Sequence, residues 1–329
     1  MKNWPFRFVW LASSVCGFFG EGYEYQKHLT RWLPGYSFQN ATPVMKTGTA
    51  FANKGNMPLE EDGITPAEKW PKCIVMNWWL ALWGVMLNAV GLSNIGIKAL
   101  AAKGLWQKLT QPFMISVMAI GGTPEARLEE MRILAKDLAE LLAQCCVFVA
   151  IQLNVSCPNI AHTVARDQFV KETLAFLDIL AVLGVHIFVK INVLASVEDM
   201  KVIAAHPACA GIIVSNTLPW THVPKWMHVL FFGSTTSPLE HLGGGGLSGW
   251  PLRRRVNKWI RAARKAGITT HINAGGGIFG PLGAFLAWLA GADSISLGTI
   301  ALVRPWMLGP TIWFGNWLFG NFPRRLSWQ

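Results

Sequence analysis

Charged residues are scarce in this chain of 329 residues. Asp, Glu, Lys and Arg make up 14% of it, whereas hydrophobic residues make up 52%. Disordered chains combine low hydrophobicity with high charge, so this composition excludes disorder and predicts a large buried core. No linker or internal repeat divides the sequence. We expect a single domain over residues 1–329, with a tryptophan-rich insertion around 60–85 and an atypical tail at 306–329.

Acidic residues are fewer than basic ones, and the formal net charge is +11. An excess of positive charge favours anionic partners, such as phosphate groups, carboxylates, nucleic acid or a membrane surface. The basic residues are scattered, and no basic stripe interleaved with aromatic residues is present. We therefore expect a small anionic ligand and no nucleic acid.

Cysteines are few, and none has the spacing of a metal site. They are Cys16, Cys73, Cys145, Cys146, Cys157 and Cys209. The absence of zinc spacing predicts no bound metal, and any iron–sulfur centre would belong to another chain. A reduced, cytoplasmic protein is the simplest interpretation.

Two apolar runs resemble targeting or membrane segments. The first, 1–19, is interrupted by Pro5 and Arg7 and lacks a cleavage site, which disfavours a secretory signal. The second, 73–97, carries no charge and is long enough to cross a bilayer. Its asparagines would be costly in hydrocarbon, which favours a buried or interfacial segment. Contact with a membrane surface stays open as an alternative.

Short apolar runs alternate with helical patterns along the chain. Uniformly apolar runs are typical of strands covered on both faces, and they lie at 6–12, 42–47, 113–118, 147–154, 186–192, 211–216, 268–274 and 293–298. Helical patterns lie between them at 123–144, 167–184, 196–206, 252–267 and 281–290. Eight such units predict an α/β fold, a (β/α)8 TIM barrel, with a doubly wound open sheet as the alternative.

Polar residues stand at the carboxyl ends of all these strands, where barrels carry their active sites. They include Ser13, Ser14, Lys46, Thr47, Ser116, Asn154, Lys190, Asn192, Asn216, Thr217, Gly298 and Thr299. The glycine-rich turn 274–278 follows the seventh strand, and Gly298 follows the eighth. Backbone amides that no side chain covers can converge on a phosphate, so these two turns predict a phosphate site; simple tight turns are the alternative.

Lys190 lies inside an apolar strand. A buried lysine must be paired or lose its proton, and an anionic ligand beside it would keep it charged. The alternative is an ion pair within the barrel, for which Asp293 is the main candidate.

No Ser-His-Asp order, zinc motif or pair of carboxylates offers a hydrolytic mechanism. The stretch "NVSCPN", 154–159, follows an apolar run and ends a predicted strand with a cysteine between two asparagines. Cys157 is thus either a spare thiol in a loop or a reacting group. The position of Cys157 at the end of a predicted barrel strand favours a reacting group.

Several motifs in order resemble the dihydroorotate dehydrogenases, which are FMN enzymes on a (β/α) barrel. The motifs are "MKTGT" (45–49), "KGNMP" (54–58), "NAVGLSN" (88–94), "NVSCPN" (154–159), "VKIN" (189–192), "SNT" (215–217), "GGLSG" with the following Pro251-Leu252 (245–252), "NAGGGI" (273–278) and "ISLGT" (295–299). A cysteine in the fourth motif is typical of the class 1 enzymes, because class 2 enzymes have serine there. The resemblance implies FMN-dependent oxidation of dihydroorotate to orotate in pyrimidine synthesis, and we expect a homodimer.

The same resemblance implies a role for each matching residue. Cys157 would be the catalytic base, and hydride would pass to FMN. The substrate would be bound by Lys46, Asn88, Asn154, Asn159, Asn216 and Thr217. FMN would be bound by Ser13, Ser14, Lys46, Ser116, Asn154, Lys190, Gly246, Gly276, Gly277, Gly298 and Thr299.

The chain departs from the family pattern at several positions. Ser14 stands where the family has glycine, Ala89-Val90 replace a more polar or bulky pair, and "IAHTVARD" (160–167) replaces the usual mobile-loop sequence. These changes leave open another dihydropyrimidine as the substrate. The tryptophan-rich segments leave open a non-catalytic protein that binds a membrane or a partner. The electron acceptor also stays open among fumarate, a nicotinamide reached through a partner, and a quinone.

Overall fold

The barrel strands follow the sequence pattern closely. The structure is a computed structural model that describes residues 4–155 and 166–323. Within these ranges the strands are β1 (Val9–Leu11), β2 (Thr42–Pro43), β3 (Ile74–Val75), β4 (Val85–Asn88), β5 (Phe113–Val117), β6 (Val149–Asn154), β7 (Ile187–Ile191), β8 (Cys209–Val214), β9 (Leu218–Pro219), β10 (Gly246–Gly249), β11 (His271–Gly275) and β12 (Ser294–Leu297). Eight of them lie at the eight predicted positions.

Those eight strands form one parallel sheet in the order β2-β1-β12-β11-β8-β7-β6-β5. The residues that follow β2 close it against β5, because Val44 bridges Met114 and Gly48 bridges Val117, both in parallel. The sheet is therefore a closed barrel. The (β/α)8 prediction is confirmed, and the alternative of an open sheet is wrong.

Helices follow the barrel strands and cover them. The described helices are α1 (Glu24–Trp32), α2 (Trp78–Trp83), α3 (Ile97–Ala102), α4 (Pro124–Leu142), α5 (Arg166–Ala181), α6 (Val197–Ala204), α7 (Lys225–Phe232), α8 (Arg253–Lys265), α9 (Pro281–Ala290), α10 (Ile300–Val303) and α11 (Leu308–Asn321). The start of α4 has a simple local cause. The Thr123 hydroxyl accepts a hydrogen bond from the Ala126 amide at 3.2 Å, and Pro124 occupies the first turn.

Aromatic side chains fill the amino-terminal end of the barrel. Trp10 is fully buried and stacks on His271 at 5.5 Å between ring centroids, with Trp4 stacked on the same imidazole at 5.0 Å. Burial lowers the pKa of His271 to about 3, so this imidazole is neutral in the core. With this end plugged, open space is left at the carboxyl ends of the strands.

A second, small antiparallel sheet in the order β3-β4-β10-β9 lies over that open end. Its strands come from two separate chain segments outside the barrel, one before β5 and one after β8. The predicted insertion at 60–85 therefore contributes β3 and α2 to a covering structure. In the tail, α11 packs against α9 and β12, and residues 324–329 lie outside the described ranges.

The two apolar runs have ordinary places in this fold. The run 1–19 contains barrel strand β1, and the run 73–97 contains β3, α2 and β4. In the parts of the chain that the structure describes, every helix is too short or too polar to traverse a bilayer.

Candidate active site

One cavity of about 1400 Å³ opens at the carboxyl ends of the barrel strands. Most of the predicted site residues line it together: Ser13, Ser14, Lys46, Asn88, Asn154, Lys190, Asn216, Thr217, Gly246, Gly276, Gly277, Gly298 and Thr299. Cys157 and Asn159 lie outside the described residues. Ser116 is described, but it does not line the cavity.

Ser116 lies one layer below the cavity wall and supports it. Its side chain is fully buried, and its hydroxyl is 2.8 Å from the Thr47 hydroxyl and accepts a hydrogen bond from the Gln152 amide at 2.6 Å. Thr47 in turn lies 3.0 Å from the hydroxyl of Ser13, which donates to the Met45 carbonyl at 2.9 Å. This chain of hydrogen bonds ties four barrel strands together at the cavity floor.

The glycine-rich turn after β11 has a backbone that only glycine adopts easily. Gly276 and Gly277 have φ of +107° and +75°, in the left-handed region. A Cβ on Gly277 would lie 2.7 Å from the backbone nitrogen of Arg253, at the start of α8. The turn therefore presents bare backbone to the cavity, as a phosphate cradle requires.

The turn after β12 completes the same wall. Gly298 and Thr299 line the cavity, and the Thr299 hydroxyl donates a hydrogen bond to that of Ser248 at 3.1 Å. Ser248 lies on β10 of the small sheet. The eighth barrel strand is thereby joined to the covering sheet at the cavity edge.

Ser14 occupies a position that suits glycine. Its φ is +78°, and its carbonyl accepts a hydrogen bond from the Tyr23 hydroxyl at 2.9 Å. Left-handed backbone is strained for a residue with a Cβ. Glycine, which the resemblance leads us to expect at this position, would adopt the same φ without that strain.

Lys46 is almost fully buried in the cavity wall. Its ammonium donates a hydrogen bond to the Ser93 carbonyl and lies 4.4 Å from the centre of the Phe18 ring. Burial lowers the pKa of Lys46 to about 8. In the described chain no carboxylate forms an ion pair with it, so its charge is available to an anionic ligand.

Lys190, near the carboxyl end of β7, lines the cavity beside Asn154 on the adjacent strand. Burial lowers the pKa of Lys190 to about 8. The suggested ion pair with Asp293 is wrong, because that carboxylate pairs with Arg264 and accepts from the Ile272 amide at 2.8 Å. Among the described residues Lys190 has no ion-pair partner, which makes the cavity the natural place for its counter-charge.

Asn88, Asn216 and Thr217 bring further amide and hydroxyl groups to the cavity. Asn88 ends β4 and is paired in register with Gly246 on β10, so both come from the covering sheet. The Asn216 side chain accepts a hydrogen bond from the Thr217 amide at 2.9 Å. Asn192 does not line the cavity; its side chain donates to the Thr217 carbonyl at 2.6 Å and fixes this loop.

The cavity also has a wall that strand-end reasoning missed. Glu21, Tyr23 and Tyr25 line it from the loop before α1 and from its first turn. The Glu21 carboxylate accepts hydrogen bonds from the amides of Phe18 and Phe19 at 3.1 and 2.7 Å, and burial raises its pKa. These residues follow a strand by many positions, and the sequence carries no signal that they return to the cavity.

Comparison with known proteins shows which family this chain belongs to. Residues 78–312 match the profile of the dihydroorotate dehydrogenase family. The catalytic subunit of dihydroorotate dehydrogenase B (NAD(+)) from Latilactobacillus sakei subsp. sakei (strain 23K) is 30% identical over 227 residues, which cover 67% of this chain and 68% of that one. Dihydroorotate dehydrogenase A (fumarate) from Limosilactobacillus reuteri (strain DSM 20016) is 25% identical over 291 residues, covering 83% of this chain and 87% of that one.

A solved structure shares the fold. The crystal structure of DHODH from Eimeria tenella in complex with ferulenol superposes with a TM-score of 0.63 at 20% identity, covering 93% of this chain and 79% of that one. The A and B types of the sequence relatives agree with the class 1 resemblance. The profile match over most of the chain confirms that the protein belongs to the dihydroorotate dehydrogenase family.

Proposed function

We propose that this protein oxidises dihydroorotate to orotate with FMN as its cofactor. The observation that carries the proposal is that one cavity gathers two lysines, several amides and two uncrowded turns. Family membership supports the same reaction.

The described residues suit FMN. The cavity exceeds the roughly 300–1,000 Å³ of a typical small-molecule site, so it has room for a cofactor and a substrate together. Backbone at Gly276, Gly277, Gly298 and Thr299 would hold the phosphate, and Ser13 and Ser14 would border the ring system. FMN, when bound, supplies an acceptor for hydride. Lys190 would place its ammonium against the anionic form of the ring.

The substrate would be held by charge and by amide pairing. The Lys46 ammonium, with its pKa at about 8, is largely protonated near neutrality and would bind the carboxylate. Amide side chains carry a donor and an acceptor on one group, and the imide edge of a pyrimidine carries the same pair of functions. Asn88, Asn154 and Asn216 would bind that edge, with Asn159 and Thr217 completing the contacts.

Cys157 would act as the base. It follows the cavity-lining Asn154 by three residues in the sequence, which tethers it to the site by a short stretch of backbone. Its thiolate would take the proton from one ring carbon while the neighbouring carbon loses hydride, and the two carbons would become doubly bonded. A free thiol has a pKa of about 8.5, so nearby lysine charge would help to form the thiolate.

The proposal is tested by anaerobic reduction. The purified protein should carry or take up FMN, and the flavin absorbance should bleach when dihydroorotate is added without oxygen. A flavin that ignores dihydroorotate but is bleached by another dihydropyrimidine would reassign the substrate. A protein that cannot be loaded with FMN would refute the enzyme assignment.

The base is tested by Cys157→Ser. The rate of flavin reduction should fall by a factor of about 10² to 10⁴, because this is what a positioned base contributes, while FMN stays bound. Cys146→Ser is the matched control, since Cys146 is an exposed thiol that does not line the cavity. Equal rates for both variants would remove Cys157 from the mechanism.

A further inference from the structure

The helices α2 and α7 expose a surface that the proposed oxidation does not use. Its large apolar side chains are Trp78, Leu82, Trp83, Trp226, Val229 and Leu230, called here the tryptophan face. Trp78 is 78% exposed, Leu82 61% and Trp226 56%. Isolated apolar residues on a surface need no explanation, but a contiguous set marks a contact site.

Helical spacing explains why these side chains share one side of each helix. Trp78 and Leu82 are four residues apart on α2, while Leu80 between them is buried. On α7 the exposed residues likewise recur at intervals of three and four, and the residues turned inward are His228 and Phe231. Each helix therefore buries one apolar side against the protein and exposes another.

The two helices contact each other, which places their exposed residues on neighbouring parts of the surface. The indole N–H of Trp79 on α2 donates a hydrogen bond to the Leu230 carbonyl on α7 at 3.1 Å. The ring of Trp83 lies 6.3 Å from that of Phe231 between centroids. These contacts join α2 to α7 although their sequences are far apart.

Positive charges border the tryptophan face. Arg304 donates a hydrogen bond to the Leu82 carbonyl at 3.4 Å, and Arg255 donates to the His222 carbonyl, just before α7, at 3.4 Å. Lys225 is exposed in the first turn of α7. The segments 73–97 and 218–233, which contain the two helices, have no aspartate or glutamate.

We propose that the tryptophan face docks on the surface of an anionic lipid bilayer. Tryptophan is the residue type that favours the boundary between headgroups and acyl chains, and basic residues beside it attract anionic lipids. A second copy of this chain is a poorer occupant, because a two-fold interface sets the same patch on both copies, and the segments 73–97 and 218–233 offer no carboxylate to pair with the other copy's basic residues. The docking is independent of which substrate the cavity takes.

The test is flotation of the purified full chain with lipid vesicles. The protein should float with vesicles of equal parts phosphatidylcholine and phosphatidylglycerol, and less with phosphatidylcholine alone or at high salt. The double variant Trp78→Ser with Trp226→Ser should lose most of this binding. Trp32→Ser is the control, because Trp32 is equally exposed but lies on the charged helix α1.

A charge variant gives a second readout that does not depend on the tryptophans. Lys225→Gln should weaken binding to the anionic vesicles about fivefold, the effect of one basic residue near such a surface, and should leave binding to neutral vesicles unchanged. The proposal is overturned by a wild-type chain that stays unbound with anionic vesicles, or by a double variant that floats like the wild type. The proposal is also overturned if the wild-type chain is a dimer in solution and the double variant is a monomer.

Discussion

The two halves of the cavity are built in different ways. The half proposed for FMN is formed by turns that directly follow barrel strands, such as Gly276 after β11 and Gly298 after β12. The half proposed for substrate includes Asn88, which is held by antiparallel pairing with Gly246 although the two are far apart in the sequence. The cofactor half is thus formed by residues that directly follow barrel strands. The substrate half depends on two segments, distant in the sequence, that pair with each other above the barrel. Substitutions that separate cofactor binding from substrate binding test this difference.

Among the substitutions that compare the two halves, the largest effect is expected from Gly277→Ala in the cofactor half. The new Cβ would meet the Arg253 backbone at 2.7 Å, and the residue would keep a φ of +75°. Strain of this kind costs about 1–3 kcal/mol. If the turn shifts to relieve it, restoring the phosphate-binding geometry costs that energy on binding, so FMN affinity should fall about tenfold to a hundredfold. Titration of the cofactor-free protein with FMN measures it. Gly122→Ala, where nothing lies within 4 Å of a Cβ, is the control and should bind FMN normally.

Lys190→Met should change stability in a way that depends on pH. The pKa of Lys190 is lowered from 10.5 to about 8 in the folded protein. Below pH 8 both states carry the charge, and the folded state bears the cost of burying it. Between pH 8 and 10.5 the folded state sheds the proton while the unfolded chain keeps it, so the cost disappears as pH rises.

The variant without FMN should therefore be more stable than the wild type by up to about 3 kcal/mol at pH 7, and this gain should shrink towards pH 10.5. Urea unfolding at several pH values measures the difference. A gain that stays constant with pH would contradict the pKa shift. The same variant should reduce flavin more slowly, because the cation that faces the cavity is gone.

Asn88→Ala tests the substrate half. Removing an amide that binds the pyrimidine should raise the KM for dihydroorotate about tenfold, the scale of one lost hydrogen bond to a ligand, while FMN affinity is unchanged. Steady-state kinetics and an FMN titration separate the two. Asn321→Ala, in the last turn of α11, is the control. A parallel loss of FMN would mean that the two halves are not independent.

The smallest effect is expected from a pair of substitutions next to each other. Ser14→Gly should stabilise the fold by less than about 1 kcal/mol, because it relieves a left-handed φ but adds chain entropy to the unfolded state. Ser13→Gly should destabilise it by about 1–2 kcal/mol, since the hydroxyl contacts Met45 and Thr47. Thermal unfolding compares them, and equal shifts would refute the role given to φ at position 14.

Much of the fold could be predicted because its signals are local. Each barrel strand is a short apolar run, and the helix from 124 begins at a Thr-Pro pair that caps it. The glycine turn after β11 is equally local, since glycine alone tolerates its dihedral angles. The roles given to Cys157 and Asn159 stay predictions, because both residues lie outside the described ranges. The expected homodimer stays a prediction as well.

The sequence by itself determined the eight strands, the polar residues at their ends and the family motifs, because each depends on residues that are neighbours in the chain. The tertiary structure alone decided how distant segments meet. Lys46 donates a hydrogen bond to the Ser93 carbonyl, and Asp293 forms its ion pair with Arg264 and not with Lys190. The segment that contains Asn88 lies over the cavity, where it pairs with β10. Such pairings follow from the path of the whole chain around the barrel, and no local pattern encodes them.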